Sequence, residues 1–102
     1  MEIKITKENF EKEVLLADKP VLIDFFATWC GPCRMLSRVI SEIAEEADGK
    51  FIVGLVNVGE EAELASAFDV LSVPTLIVIK DGKVVNRGVG FMPKAKVLEL
   101  LD

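Results

Sequence analysis

The chain holds only two cysteines, and they stand three residues apart in Trp29-Cys30-Gly31-Pro32-Cys33. Thiols at this spacing can close on each other and open again. A thiolate attacks the sulfur of a disulfide, a mixed disulfide forms, and a second thiolate displaces it, so that two electrons pass to the disulfide that was met. A pair this close closes too small a loop to brace a fold, so in a reducing cytosol it is better suited to catalysis than to scaffolding. Histidine is absent. That removes Cys/His proteases and imidazole metal sites, and a tetrahedral zinc site needs about four ligands where one chain offers two thiols. Two chains each lending both thiols to a metal or cluster is a remote third possibility.

Chemistry at the pair depends on what holds it. The preceding run Val21-Leu22-Ile23-Asp24-Phe25-Phe26-Ala27 is apolar and rich in β-formers apart from Asp24, the pattern of a strand buried on both faces. From Leu36 the apolar residues fall at Val39, Ile40, Ile43, Ala44 and Ala47, the stripe of a helix packed on one side. Asp48-Gly49 ends it. Pro32 fits only the first helical turn, where its missing N–H breaks no bond, so Cys30 lies at the helix N-terminus with unpaired amides near its sulfur. These amides and the helix dipole favour the thiolate of Cys30. Cys33, one turn in, is expected to be less exposed and less acidic. Cys30 is the attacking sulfur on this reading, and Cys33 the resolving one.

Asp24 is the odd residue of its strand. Burial disfavours its charged form and should raise its pKa. Strand alternation places it on the face of Leu22 and Phe26, where it can sit beneath the helix that carries the cysteines. A carboxylate satisfied by backbone donors is the alternative.

The 102 residues, 51% of them hydrophobic, suffice for one domain with one core. A net charge of −5 without any Lys/Arg cluster speaks against nucleic acid. No apolar run approaches the roughly 20 residues that span a bilayer, and the first residues lack the apolar core of an export signal. A cytoplasmic location is expected.

The remaining segments alternate between strand and helix patterns. Ile3-Lys4-Ile5 reads as a first strand, and Thr6 as the cap of a helix from about Lys7 to Leu16 with Phe10, Val14 and Ala17 inward. Phe51 to Asn57 reads as a strand parallel to the one bearing Asp24, in a right-handed βαβ unit, with Gly54 weakening it a little. Glu60 to Phe68 reads as a short helix with Leu64, Ala65 and Phe68 inward. Thr75 to Lys80 and Lys83 to Gly88 read as a hairpin turned at Asp81-Gly82. Pro93 opens a last helix with Val97, Leu98 and Leu101 inward. Periodicity alone gives an α/β class.

Four features together resemble the thioredoxin family over nearly the whole chain: Trp29-Cys30-Gly31-Pro32-Cys33, Asp24 six residues before the first cysteine, Val73-Pro74-Thr75, and Gly90. The resemblance implies the thioredoxin fold, with the order βαβαβαββα and a central mixed five-stranded sheet flanked by helices on both faces. It implies a protein-disulfide reductase that carries electrons to disulfide-containing client proteins in redox homeostasis. A thioredoxin reductase or equivalent donor would recharge it, since the chain has no flavin or nicotinamide fingerprint and needs no cofactor of its own. Neither nucleic acid nor membrane is implied as a partner, and a monomer is expected. The alternative is a thioredoxin-fold binding module without redox turnover.

The resemblance also implies roles for residues. Asp24 would relay a proton for Cys33. Val73-Pro74 would be a cis peptide that leaves the backbone of Val73 free to pair with an extended client segment. The substrate groove would be rimmed by Trp29, Gly31, Pro32, Val58, Val73, Pro74, Val89, Gly90 and Phe91. This chain departs from the family at Leu55, where a lysine commonly stands beside the aspartate, which should leave Asp24 with a still higher pKa. Arg38 replaces a helix-kinking proline, so a straighter helix is expected. Gly59 replaces an acidic residue, and Phe91 is bulkier than the small residue often matched there. Arg34, beside the thiols, is placed to favour thiolate or steer partners, while Arg38, Glu42, Glu45 and Glu46 read as a solvated helix face.

Overall fold

A strand with no exposed face must lie inside a sheet that is covered on both sides. Val21 to Phe25 are all buried, and their strand does lie there. In the computed structural model, which describes residues 1–102, the strands are β1 (Glu2–Lys4), β2 (Val21–Phe26), β3 (Ile52–Asn57), β4 (Thr75–Lys80) and β5 (Lys83–Val89). They form one five-stranded sheet in the order β1-β3-β2-β4-β5. β1 and β2 run parallel to β3, and β4 runs antiparallel to β2 and β5. The sheet is therefore mixed, with β2 at its centre.

Three α-helices, α1 (Gly31–Glu46), α2 (Ala62–Ala67) and α3 (Lys94–Leu100), join a π-helical segment at Glu11–Leu15. Alternation along the strands divides the core in two. On one face Ile23, Phe25, Val56 and Ile77 pack with Val14 of the π-helical segment and Leu64 of α2. On the other, Leu22, Val53, Leu76 and Val78 pack with Leu36, Ile40 and Ile43 of α1 and Val97 of α3. Helices cover both faces, as the thioredoxin fold requires.

α1 runs unbroken past Arg38, and the chain leaves it through the left-handed backbone of Asp48 and Gly49. Asp81 and Gly82 also have positive φ, 52° and 76°, the geometry of a tight hairpin turn. The first helix departs from expectation. Thr6 caps the turn that leads into it and not the helix itself, which starts at Glu11 with Phe10 as an N-cap that makes no side-chain cap bond. In that turn the Thr6 amide donates to Asn9 Oδ1 at 2.8 Å and the Asn9 amide to Thr6 Oγ1 at 3.3 Å. The helix itself is a wide π turn, closed by the Leu16 amide on the Glu11 carbonyl at 2.9 Å. In α3, Leu98 is turned to solvent, and Leu100 packs against the core in its place. Gly54 has a positive role: a Cβ there would lie 2.7 Å from Ile5 Cγ1, so glycine makes room for a core isoleucine.

Candidate active site

β2 and α1 bring the two sulfurs together. Cys30 keeps extended backbone angles as the N-cap of α1 (φ −96°, ψ 115°), and Pro32 occupies the first turn. The cysteines are joined as a disulfide with their Cα atoms 5.2 Å apart. The Cys33 amide donates to Cys30 Sγ at 3.1 Å. An N–H that has no partner within the helix is thus spent on sulfur.

The expected contrast in exposure is slight. Cys30 is 5% exposed and Cys33 3%, because Ala27, Phe26, Val58 and Val73 pack around both. Cover over Cys30 comes from the Val73 segment, whose carbonyl oxygen lies 3.8 Å from Cys30 Sγ. In the disulfide this is a contact without a proton. The Val73–Pro74 peptide is cis. Pro74 is itself buried, so Val73 and not the proline ring meets the surface. The Gly90 amide donates to the Pro74 carbonyl at 2.8 Å, tying the end of β5 to this loop. Gly90 takes φ +88° and nothing approaches its missing Cβ. Its glycine serves the turn and not close backbone approach.

Around the sulfurs the surface is apolar. Trp29 is 77% exposed, and Val89 and Phe91 are exposed as well. Gly31 and Pro32 are exposed beside them. Trp29, Val58 and Val73 line one cavity of about 430 Å³ together with Val70, Leu71 and Ser72. The last three were not anticipated. Leu71 is 96% exposed, and it lies in a loop of no periodic pattern, where only its nearness to Val73-Pro74 in sequence could have flagged it.

Beneath the pair, Asp24 and Cys33 line a second cavity, of about 350 Å³, with Glu2, Ala27, Thr28, Arg34, Ser37, Ser41 and Leu55 among its walls. Asp24 is 2% exposed and its Oδ1 has no hydrogen-bond partner. That oxygen does not have the backbone donors of the alternative reading. Its pKa is pushed up from 3.8 to about 7, chiefly by burial and in addition by the negative charge of Glu2. A carboxyl that titrates near neutrality is able both to give and to take a proton. Leu55 is its register partner on β3, so the side chain beside the carboxyl across the strands is a hydrocarbon. Glu2 escaped the sequence reading. Only the pairing of β1 with β3 and β3 with β2 reveals that a residue so far from Asp24 in sequence shares its cavity. No group of three or more His, Cys, Asp or Glu side chains is arranged to hold a metal ion.

A family model described as Thioredoxin matches residues 1–102. Thioredoxin of Chlorobaculum thiosulfatiphilum is 44% identical over 97 residues, spanning 95% of this chain and 90% of that protein. Thioredoxin of Staphylococcus haemolyticus is 45% identical over 100 residues, spanning 98% of this chain and 94% of the relative. For Thioredoxin of Mycobacterium tuberculosis the identity is 48% over 100 residues, with 98% and 86% covered. Likeness over the full length, with two cysteines already paired at the head of α1, leaves one conclusion. The chain belongs to the thioredoxin family and is a thiol–disulfide oxidoreductase.

Proposed function

We propose that the chain reduces the disulfides of client proteins and is itself recharged by a thioredoxin reductase or an equivalent dithiol donor. The observation that carries this reading is the Cys33 amide aimed at Cys30 Sγ across 3.1 Å, since a donor fixed on one sulfur stabilises charge there and not on the other. Cys30 as thiolate attacks a client sulfur, forming a mixed disulfide and releasing the first client thiolate. Cys33 then gives its proton to the carboxylate of Asp24 and attacks Cys30 Sγ. The second client thiolate leaves, and both client thiolates take up protons. Two electrons have moved from the Cys30–Cys33 dithiol to the client, and the pair is left as a disulfide.

The client lies along the apolar rim of Trp29, Gly31, Pro32, Val58, Val73, Val89, Gly90 and Phe91, while buried Pro74 holds the Val73 backbone from beneath. Its backbone pairs with that of Val73, a mode tolerant of client sequence. The chain acts as one domain, as a monomer and in the cytoplasm, where a pool of dithiol donors is maintained. The test is Cys33→Ser. It should stall the second step and leave clients covalently attached to Cys30, while Cys30→Ser attaches none. Failure of the wild type to reduce insulin with a dithiol donor would overturn the reading.

A further inference from the structure

The cavity beneath the redox pair has in its wall a carboxylate, Glu2, that the reaction as described does not use. Glu2 reaches it from β1, with Glu2 Oε1 accepting a bond from Ser41 Oγ of α1 at 3.0 Å. In the sheet Glu2 pairs with Val53 and Val53 with Leu22. Its row is therefore the neighbour, on the same face, of the row formed by Lys4, Leu55 and Asp24. Glu2 and Asp24 line the same cavity, and Leu55 lines it with them. Asp24 is buried in that wall, so a second carboxylate on the same cavity makes its charged form harder to hold.

The other charged groups around the two carboxyls leave this in place: the ammonium of Met1, next to Glu2, is held by the Ala44 carbonyl at 3.2 Å and does not line the cavity. Arg34 of α1 borders the cavity but is exposed, where water and salt screen it. Lys4 stands in the row of Asp24, yet its ammonium turns to Glu60 at 3.4 Å, over the adjoining cleft of Phe26, Leu55 and Asn57. From β3 and β4 the register neighbours of Asp24 are Leu55 and Leu76, neither of which titrates.

We propose that Glu2 is a positioning residue for proton transfer at the redox pair: fixed by Ser41 in the wall of the cavity that Asp24 and Cys33 share, its carboxylate competes with the charge of Asp24 and so sets the pH range in which Cys33 resolves. This rests on the reading of Asp24 as the proton acceptor of Cys33. Where the family commonly places a cation beside the aspartate, this chain has a hydrocarbon at Leu55 and an anion at Glu2, and both act in the same direction.

Glu2→Gln removes the charge and keeps an oxygen for Ser41 Oγ. Two quantities are followed in it: the titration of the Asp24 carboxyl by carbon NMR of the oxidised protein, and the pH profile of mixed-disulfide resolution by Cys33. Both midpoints should move to lower pH together, by roughly half a pH unit or more. Glu42→Gln, which removes an exposed carboxylate from α1 next to Ser41, should move neither. An unmoved Asp24 midpoint, a moved midpoint without a moved resolution profile, or an equal response to Glu42→Gln each overturns the proposal. Asp24→Asn measured alongside separates the two readings. If it leaves the resolution profile unchanged, the role of Asp24 has failed; if it abolishes the pH dependence while Glu2→Gln does nothing, only the role of Glu2 has.

Discussion

Leu55 of β3 stands opposite Asp24 of β2 in their parallel register, so the buried carboxyl shares its row with a hydrocarbon side chain. Leu55→Lys should place an ammonium beside it, favour the carboxylate and lower the pH at which Asp24 titrates by roughly one unit. The pH profile of dithiol-driven insulin reduction should shift downward with it. A profile that does not move counts against Asp24 as the proton acceptor.

The same carboxyl makes stability depend on pH. Its unfolded value is 3.8 and its folded value about 7, so between these the folded state binds more protons than the unfolded one. Stability attached to Asp24 is thus complete below pH ~4 and falls as pH rises through ~7, by roughly 4 kcal/mol at most. Asp24→Asn should abolish this slope and exceed the wild type in stability at pH 8. Urea unfolding of both oxidised proteins at pH 5 and pH 8 measures it, and parallel behaviour of the two would exclude it.

Gly54→Ala tests the packing between β1 and β3. The added methyl would lie 2.7 Å from Ile5 Cγ1, and Ile5 is fully buried. Overpacking of this kind costs about 1–3 kcal/mol. Thermal unfolding should show a lower Tm with redox activity retained at lower temperature.

Trp29→Ala separates client binding from folding. The ring is mostly exposed, so its loss should change unfolding free energy by no more than about 0.5 kcal/mol. Contact with the client is lost, and KM for insulin should rise several-fold while the rate of alkylation of Cys30 is unaltered. A large loss of stability with unchanged KM would instead make Trp29 a packing residue.

β2 and α1 were legible because each is dictated locally. An unbroken apolar run defines the strand, the Leu36–Ala47 stripe defines the helix, and Pro32 marks its first turn. Burial and a raised pKa for Asp24 followed from a single acid in that run. What escaped depends on segments distant in sequence. The Val73 loop covers Cys30 from 43 residues away, and Glu2 reaches Asp24 only through the β1-β3-β2 pairing. The first helix was misread for a different reason. Phe10, Val14 and Ala17 fit an α or a π turn alike, and the wider bond from Leu16 to Glu11 leaves no mark in their periodicity.

The central position of β2 also protects the protein from its own reactivity. Segments packed on every side open last, when the whole molecule unfolds, and both cysteines pack with Phe26 and Ala27 at the end of β2. A peroxide that attacks the Cys30 thiolate leaves a sulfenic acid within bonding reach of the Cys33 thiol. Condensation of the two expels water and yields the ordinary Cys30–Cys33 disulfide, before further oxygen can make the lesion permanent. Oxidative injury at this site is converted into one half of the working cycle.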